Sequence, residues 1–214
     1  MQTQTHLLAA AAAFARPDKP LRNTAVVIGA IVPDLSIYVL WGSSKLAGTP
    51  ERVIWRDLYW QEPWQLLGAV FNSAILYGVL ALIGWLLLQN IVAKPKQSLS
   101  AAFNPDRMDA VRASGVCLLF VGLAALLHVA LDFPVHSDDA HRHFWPVTDW
   151  RFYSPISYYR DAVGFGADIL IGLLSIGILA WCFRAWWVRV LLGLALIPYV
   201  AVPAYFILTL VAGD

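Results

Sequence analysis

Residues 113–136 read ASGVCLLFVGLAALLHVALDFPVH, and up to Leu131 the stretch holds no Asp, Glu, Lys or Arg. A bilayer core of about 30 Å takes roughly 20 apolar residues of helix to cross, so this run reads as a membrane span. It closes on His128 and Asp132, two ionisable groups at one of its ends. Working outward, 63–93 and 190–213 are equally free of charge. The run 162–183 is interrupted only by Asp168, and 23–44 only by the pair Pro33-Asp34.

Composition supports the same class. Of 214 residues, 59% are hydrophobic and 14% charged, against about 25% charged in ordinary soluble domains. A freely soluble protein is excluded. The formal net charge is +1, with no basic run to neutralise a row of phosphates, so nucleic acid is not an expected partner. Cys117 and Cys182 lie inside apolar runs and make neither a disulfide framework nor a sulfur-based metal site.

The segment 3–15 is apolar but too short to cross, and it lacks the positive start of a secretory signal. Pro17 and Pro20, among Arg16, Asp18, Lys19 and Arg22, predict a turn that folds it back on the next helix. Residues 50–64 mix charge with Trp55, Tyr59, Trp60 and Trp64, a pattern suited to the headgroup zone. The fold expected is all-α: one integral membrane domain over 1–214, with an N-terminal helical hairpin, about four transmembrane helices and a histidine-rich extramembrane loop. If the spans alternate, nine Lys/Arg fall on the face holding 16–22, 94–112 and 184–189, and six on the other. The positive-inside rule then puts the loop 136–160 outside, which in a Gram-negative inner membrane is periplasmic.

All five histidines fall in two places: His6, and the stretch HVALDFPVHSDDAHRH from His128 to His143. His and Asp without Cys form the donor set of hydrolytic divalent-metal sites. His128 and Asp132, four residues apart, project from one helix face and can grip one ion. His6 lies ten residues before Arg16 and Asp34 twelve after Arg22, so a hairpin carries both roughly 15–18 Å from its turn, side by side. Asp168 is a further intramembrane acid able to complete or orient the group. Each has a structural alternative: an ion pair at a helix end for His128 and Asp132, a surface polar residue for His6, a kink for Pro33-Asp34, a solvated loop for His141 and His143. Arg142, Arg151 and Arg160 stand in a ring-rich loop that suits either an anionic headgroup or a cap over the helix ends.

An early Thr5-His6-Leu7-Leu8, the helix bearing GAIVPD at 29–34, and a later His-x-x-x-Asp followed by His resemble the bacterial membrane-bound metal-dependent hydrolases of the LexA-regulated type. The loop HSDDAHRHFWPVTDWRFYSPISYY looks like that of a subgroup of small membrane proteins, some labelled for cobalamin biosynthesis. The order His, Asp, His-x-x-x-Asp, His is also similar to the ligand order of zinc-dependent phospholipase C and related nucleases. The likeness covers the first 45 residues and 115–160, and departs after Tyr159, beyond which no histidine stands. It implies His6, Asp34, His128, Asp132 and His136 as ligands of a divalent metal, zinc by donor set.

The expected activity is hydrolysis of an ester or phosphodiester near the membrane surface, with Asp138 or Asp139 as the base and Arg142 holding an anionic group of a lipid or phosphodiester substrate. The competing class is a non-catalytic accessory subunit of a membrane complex, its His/Asp cluster locking helices together. Haem held by His6 and His128 is a third reading, disfavoured by their acidic companions.

Overall fold

The computed structural model describes residues 1–93, 105–158 and 160–212. Its regular elements there are all helical: α1 (Thr3–Phe14), α2 (Pro20–Ile31), a 3₁₀ turn (Val32–Asp34), α3 (Leu35–Leu46), the short α4 (Glu51–Val53) running into a π turn (Ile54–Leu58), α5 (Glu62–Phe71), α6 (Ala74–Ala93), α7 (Pro105–Asp132), α8 (Ala162–Cys182) and α9 (Trp186–Ala212). Five stretches are long and apolar enough to cross a bilayer: Pro20–Leu46, Glu62–Gln89, Met108–Asp132, Ala162–Cys182 and Trp186–Tyr205. The chain is an integral membrane protein, with spans where the charge-free runs put them. Of the loop expected at 94–112, residues 94–104 lie outside the described residues, and 105–112 open α7.

The N-terminal hairpin forms. Its turn is held by Asn23, whose Oδ1 accepts from the Arg16 N–H at 2.9 Å while its Nδ2 donates to the Arg16 carbonyl at 2.8 Å. Pro20 opens α2, where its missing N–H costs nothing. α1 then lies between α2 and α8, and α7 is the central helix, packed on α6 and α2.

Small residues let these helices approach, as lipid provides no hydrophobic drive between them. A Cβ on Gly84 would fall 2.3 Å from the Leu119 nitrogen, and one on Gly29 2.3 Å from the Val121 carbonyl oxygen. Ala10, Val26, Ala30 and Ala124 fill the contact of α1, α2 and α7. Outward-facing Leu170, Leu174, Trp181 and Leu194 remain exposed, as lipid-facing side chains do.

Two spans are broken. Pro33 removes a backbone donor, and α2 passes into the 3₁₀ turn before resuming as α3. The run 63–93, which the charge pattern presents as continuous, stops at Asn72-Ser73 between α5 and α6. The two breaks meet where Asn72 Nδ2 donates to the Pro33 carbonyl at 3.1 Å. Backbone groups at the second break are taken up by the loop after α7: the Ala74 N–H donates to the His143 carbonyl at 2.8 Å and the Asn72 carbonyl oxygen lies 3.2 Å from His143 Nδ1, while the Ser73 hydroxyl donates to the Trp145 carbonyl. Irregular backbone inside an apolar layer is stable only when buried in protein in this way.

Candidate metal centre

Asp132 ends α7 and sits at the centre of the cluster. Its Oδ1 lies 2.9 Å from His6 Nε2 and 3.4 Å from His136 Nε2, and its Oδ2 lies 3.1 Å from His128 Nε2. Asp34, from the 3₁₀ turn, brings Oδ1 to 3.4 Å from His128 Nε2. His6, His128 and Asp132 are 1%, 1% and 3% exposed, and their donor atoms converge closely enough to hold one metal ion. Of the five ligands implied by the resemblance, His6, His128 and His136 thus touch the Asp132 carboxylate, and Asp34 joins the group through His128. The Met1 amine also reaches Asp132 Oδ1, at 2.6 Å.

The local reasons are visible. The four-residue spacing on α7 stacks His128 over Asp132, and Pro134 ends the helix so that Val135 and His136 turn back toward it. The hairpin delivers His6, whose ring stacks on that of His128 with centroids 3.5 Å apart and planes 9° from parallel. Thr3 Oγ hydrogen-bonds Asp34 Oδ2 and Tyr38 Oη, tying the start of α1 to α3. Asp168 Oδ1 accepts the Gln2 N–H at 3.0 Å, so this buried acid positions α1 and does not enter the cluster.

The ring nitrogens say what the cluster is built for. His128 Nδ1 lies 2.7 Å from the Ala30 carbonyl oxygen, which can only accept, so Nδ1 carries the proton. In the neutral ring Nε2 is then a bare lone pair, facing two carboxylates and without a hydrogen-bond partner. The Nε2 atoms of His6 and His136 are likewise buried at ion-pair distance from a carboxylate, without hydrogen-bond geometry. Lone pairs and carboxylates converging in a water-poor interior repel unless protons or a metal ion lie between them; at Asp132 Oδ1 the Met1 ammonium already supplies one positive charge. One metal ion can meet His6, His128 and Asp132 at once, whereas protonating both His6 and His128 would place two cations in stacked rings. The residues present fit a divalent ion, and the Ala30 carbonyl supplies the orienting bond usual for a ligating imidazole.

His136 has a carboxylate on its other side as well, its Nδ1 2.9 Å from Asp139 Oδ1. Burial depresses its pKa, but Asp132 and Asp139 overcome this and raise it to about 9. Burial pushes the Asp139 carboxyl up, and His136 more than reverses this, leaving it below the usual range. His141 and His143 are buried too, not solvated, with His143 Nδ1 3.2 Å from the Asn72 carbonyl oxygen. Burial, with His136 and His143 nearby, lowers the His141 pKa to about 3.

The other expected site residues are engaged elsewhere. Asp138 pairs at the surface with Arg160, and Asp139 backs His136. Arg142 makes a bidentate pair with Glu62 at 2.7 and 2.8 Å and lies 3.3 Å from Asp149. Arg151 donates to Gln65 Oε1 and the Ala140 carbonyl. These pairs pin the loop on α5, the capping alternative for this arginine-rich stretch. A cleft of about 390 Å³ opens beside the cluster, walled by Thr3, Gln4, Ile37, Tyr38 and Tyr158, with Asp34 in its lining. Sequence reasoning missed Asn72 and Ser73, whose signal was an adjacent amide and hydroxyl inside an otherwise apolar run.

No family model, curated protein or solved structure matches the chain.

Proposed function

We propose that this protein is a membrane-embedded, metal-dependent hydrolase acting on an ester or phosphodiester bond near the membrane surface. The observation that carries the reading is the His128 ring, locked by Ala30 so that its free lone pair meets two carboxylates in a buried site. His6, His128 and Asp132 would hold the ion, with His136 and Asp34 within reach, and an all-His/Asp donor set favours zinc.

A divalent ion in such a site supplies Lewis-acid polarisation of a carbonyl or phosphoryl oxygen and brings the acidity of water toward neutral pH. The chain supplies the rest. Asp34 faces both His128 and the cleft, so its carboxylate is the group placed to take a proton from an attacking water. Asp139 holds His136 in register. Thr3 fixes the Asp34 carboxylate by hydrogen bond, and Tyr38 offers a polar group to a bound substrate. On the positive-inside count this end of the helices faces outward, the periplasm of a bacterial inner membrane. The near-complete burial of His6, His128 and Asp132 favours a second reading, a structural cluster in an accessory subunit of a membrane complex.

Elemental analysis of detergent-purified protein, wild type beside His128→Ala and Asp132→Ala, tests the site. Near-stoichiometric zinc or manganese, lost in both variants, is the expected result. Hydrolysis of ester or phosphodiester probes by wild type alone then supports the enzyme, and metal without any turnover supports the structural cluster. No metal in the wild type, purified without chelator, overturns the proposal.

A further inference from the structure

A second cleft, of about 440 Å³, is lined by Ile37, Trp55, Tyr59, Trp60, Asp138 and Asp139. Its walls come from the segment after α3 and from the loop after α7. The π turn at Ile54–Leu58 is anchored by Ile54, which is fully buried, and this leaves Trp55 and Trp60 only partly covered, at 37% and 44% exposed. Trp55 and Tyr59 have ring centroids 6.3 Å apart, and Tyr59 meets Trp60 edge to face at 5.0 Å. The Tyr59 hydroxyl donates to the Asp139 carbonyl at 3.2 Å, so ring wall and acidic wall are joined.

Among the described residues lining this cleft there is no Lys or Arg, while three electron-rich rings and two carboxylates line it, Asp138 paired with Arg160 and Asp139 with His136. An anionic group would find there only cations that are already paired. An organic cation would meet ring faces and carboxylates together, the combination that binds ammonium groups. The segment joins the ends of two membrane spans, Pro20–Leu46 and Glu62–Gln89, so the cleft stands at headgroup depth. Ile37 also lines the cleft beside Asp34, which makes the two clefts neighbours.

We infer that the cleft of Trp55, Tyr59 and Trp60 binds the ammonium headgroup of a zwitterionic membrane lipid. The inference concerns binding and does not depend on hydrolysis at the metal centre.

The test is native mass spectrometry of the detergent-solubilised full chain, titrated with phosphatidylcholine and, separately, with phosphatidylglycerol of the same acyl chains. Wild type is expected to hold the choline lipid at least about fivefold tighter. Trp60→Ala and, independently, Trp55→Ala should abolish that preference while leaving phosphatidylglycerol affinity and metal content unchanged, and Trp60→Phe should keep most of it. Equal or tighter binding of phosphatidylglycerol by wild type overturns the inference, as does undiminished preference in both alanine variants. Free choline binding as tightly as the lipid overturns the assignment to a lipid. Because metal content is read on the same samples, a protein that keeps its metal but shows no headgroup preference removes this inference and leaves the hydrolase proposal standing.

Discussion

His136 sits between two carboxylates, and that makes the candidate metal centre responsive to pH. Its pKa in the folded protein is about 9, above the ordinary histidine value near 6.5. In metal-free protein the protonated ring therefore stabilises the fold fully below about pH 6.5, and this contribution is lost as pH rises through about 9. Metal needs the neutral ring, so binding must release that proton. Zinc affinity, measured by competition with a chromogenic chelator, is expected to rise about tenfold per pH unit between roughly pH 6 and 8.5. In Asp139→Asn the ring loses one of its two charge partners, so this slope should flatten at the alkaline end. The same variant should weaken zinc binding about 10- to 100-fold, as loss of an orienting carboxylate does. A slope unchanged from wild type would show that His136 is not among the ligands.

At the level of elements, the fold depends on two interrupted helices meeting. Asn72 is 2% exposed and donates to the carbonyls of Pro33 and Gly68, each at 3.1 Å. Asn72→Leu keeps the branched shape but replaces the amide with an apolar group and removes its hydrogen bond to the Pro33 carbonyl, at a cost of about 1–3 kcal/mol. A lower thermal midpoint in detergent, together with reduced metal content, is the expected outcome, because the Pro33 turn carries Asp34. Most of the fold was legible in the sequence. Charge-free runs located the spans, and distances of ten and twelve residues from the Arg16–Arg22 turn put His6 and Asp34 at similar depth. The break at Asn72-Ser73 was not legible, since two neutral polar residues scarcely change the transfer energy of a long apolar run. What decides the break is that its backbone groups find partners in residues 143–145, some 70 positions away, which no local pattern reports.

Across the whole molecule, the loop after α7 is a lid packed into the ends of the broken spans. The roles of Asp138 and Arg142 were illegible for the same reason: spacing showed charged residues near histidines, but Arg160 and Glu62, which engage them, lie far off in sequence. Orientation can be read by cysteine labelling in a background with Cys117 and Cys182 replaced. Thr148→Cys should react with a membrane-impermeant maleimide in intact cells, and Ala185→Cys only after permeabilisation; the reverse pattern would invert the assigned topology.

The packing of α1 also imposes an order in time. Gln4 donates to the Ala195 carbonyl at 2.7 Å and Thr5 shares a 2.6 Å hydrogen bond with Tyr199, contacts spanning 191 and 194 residues. The groups that clamp the helix of His6 thus lie far along the chain from it. Until α9 is made and inserted these two clamps are missing, and α1 rests on α2, α7 and α8 alone.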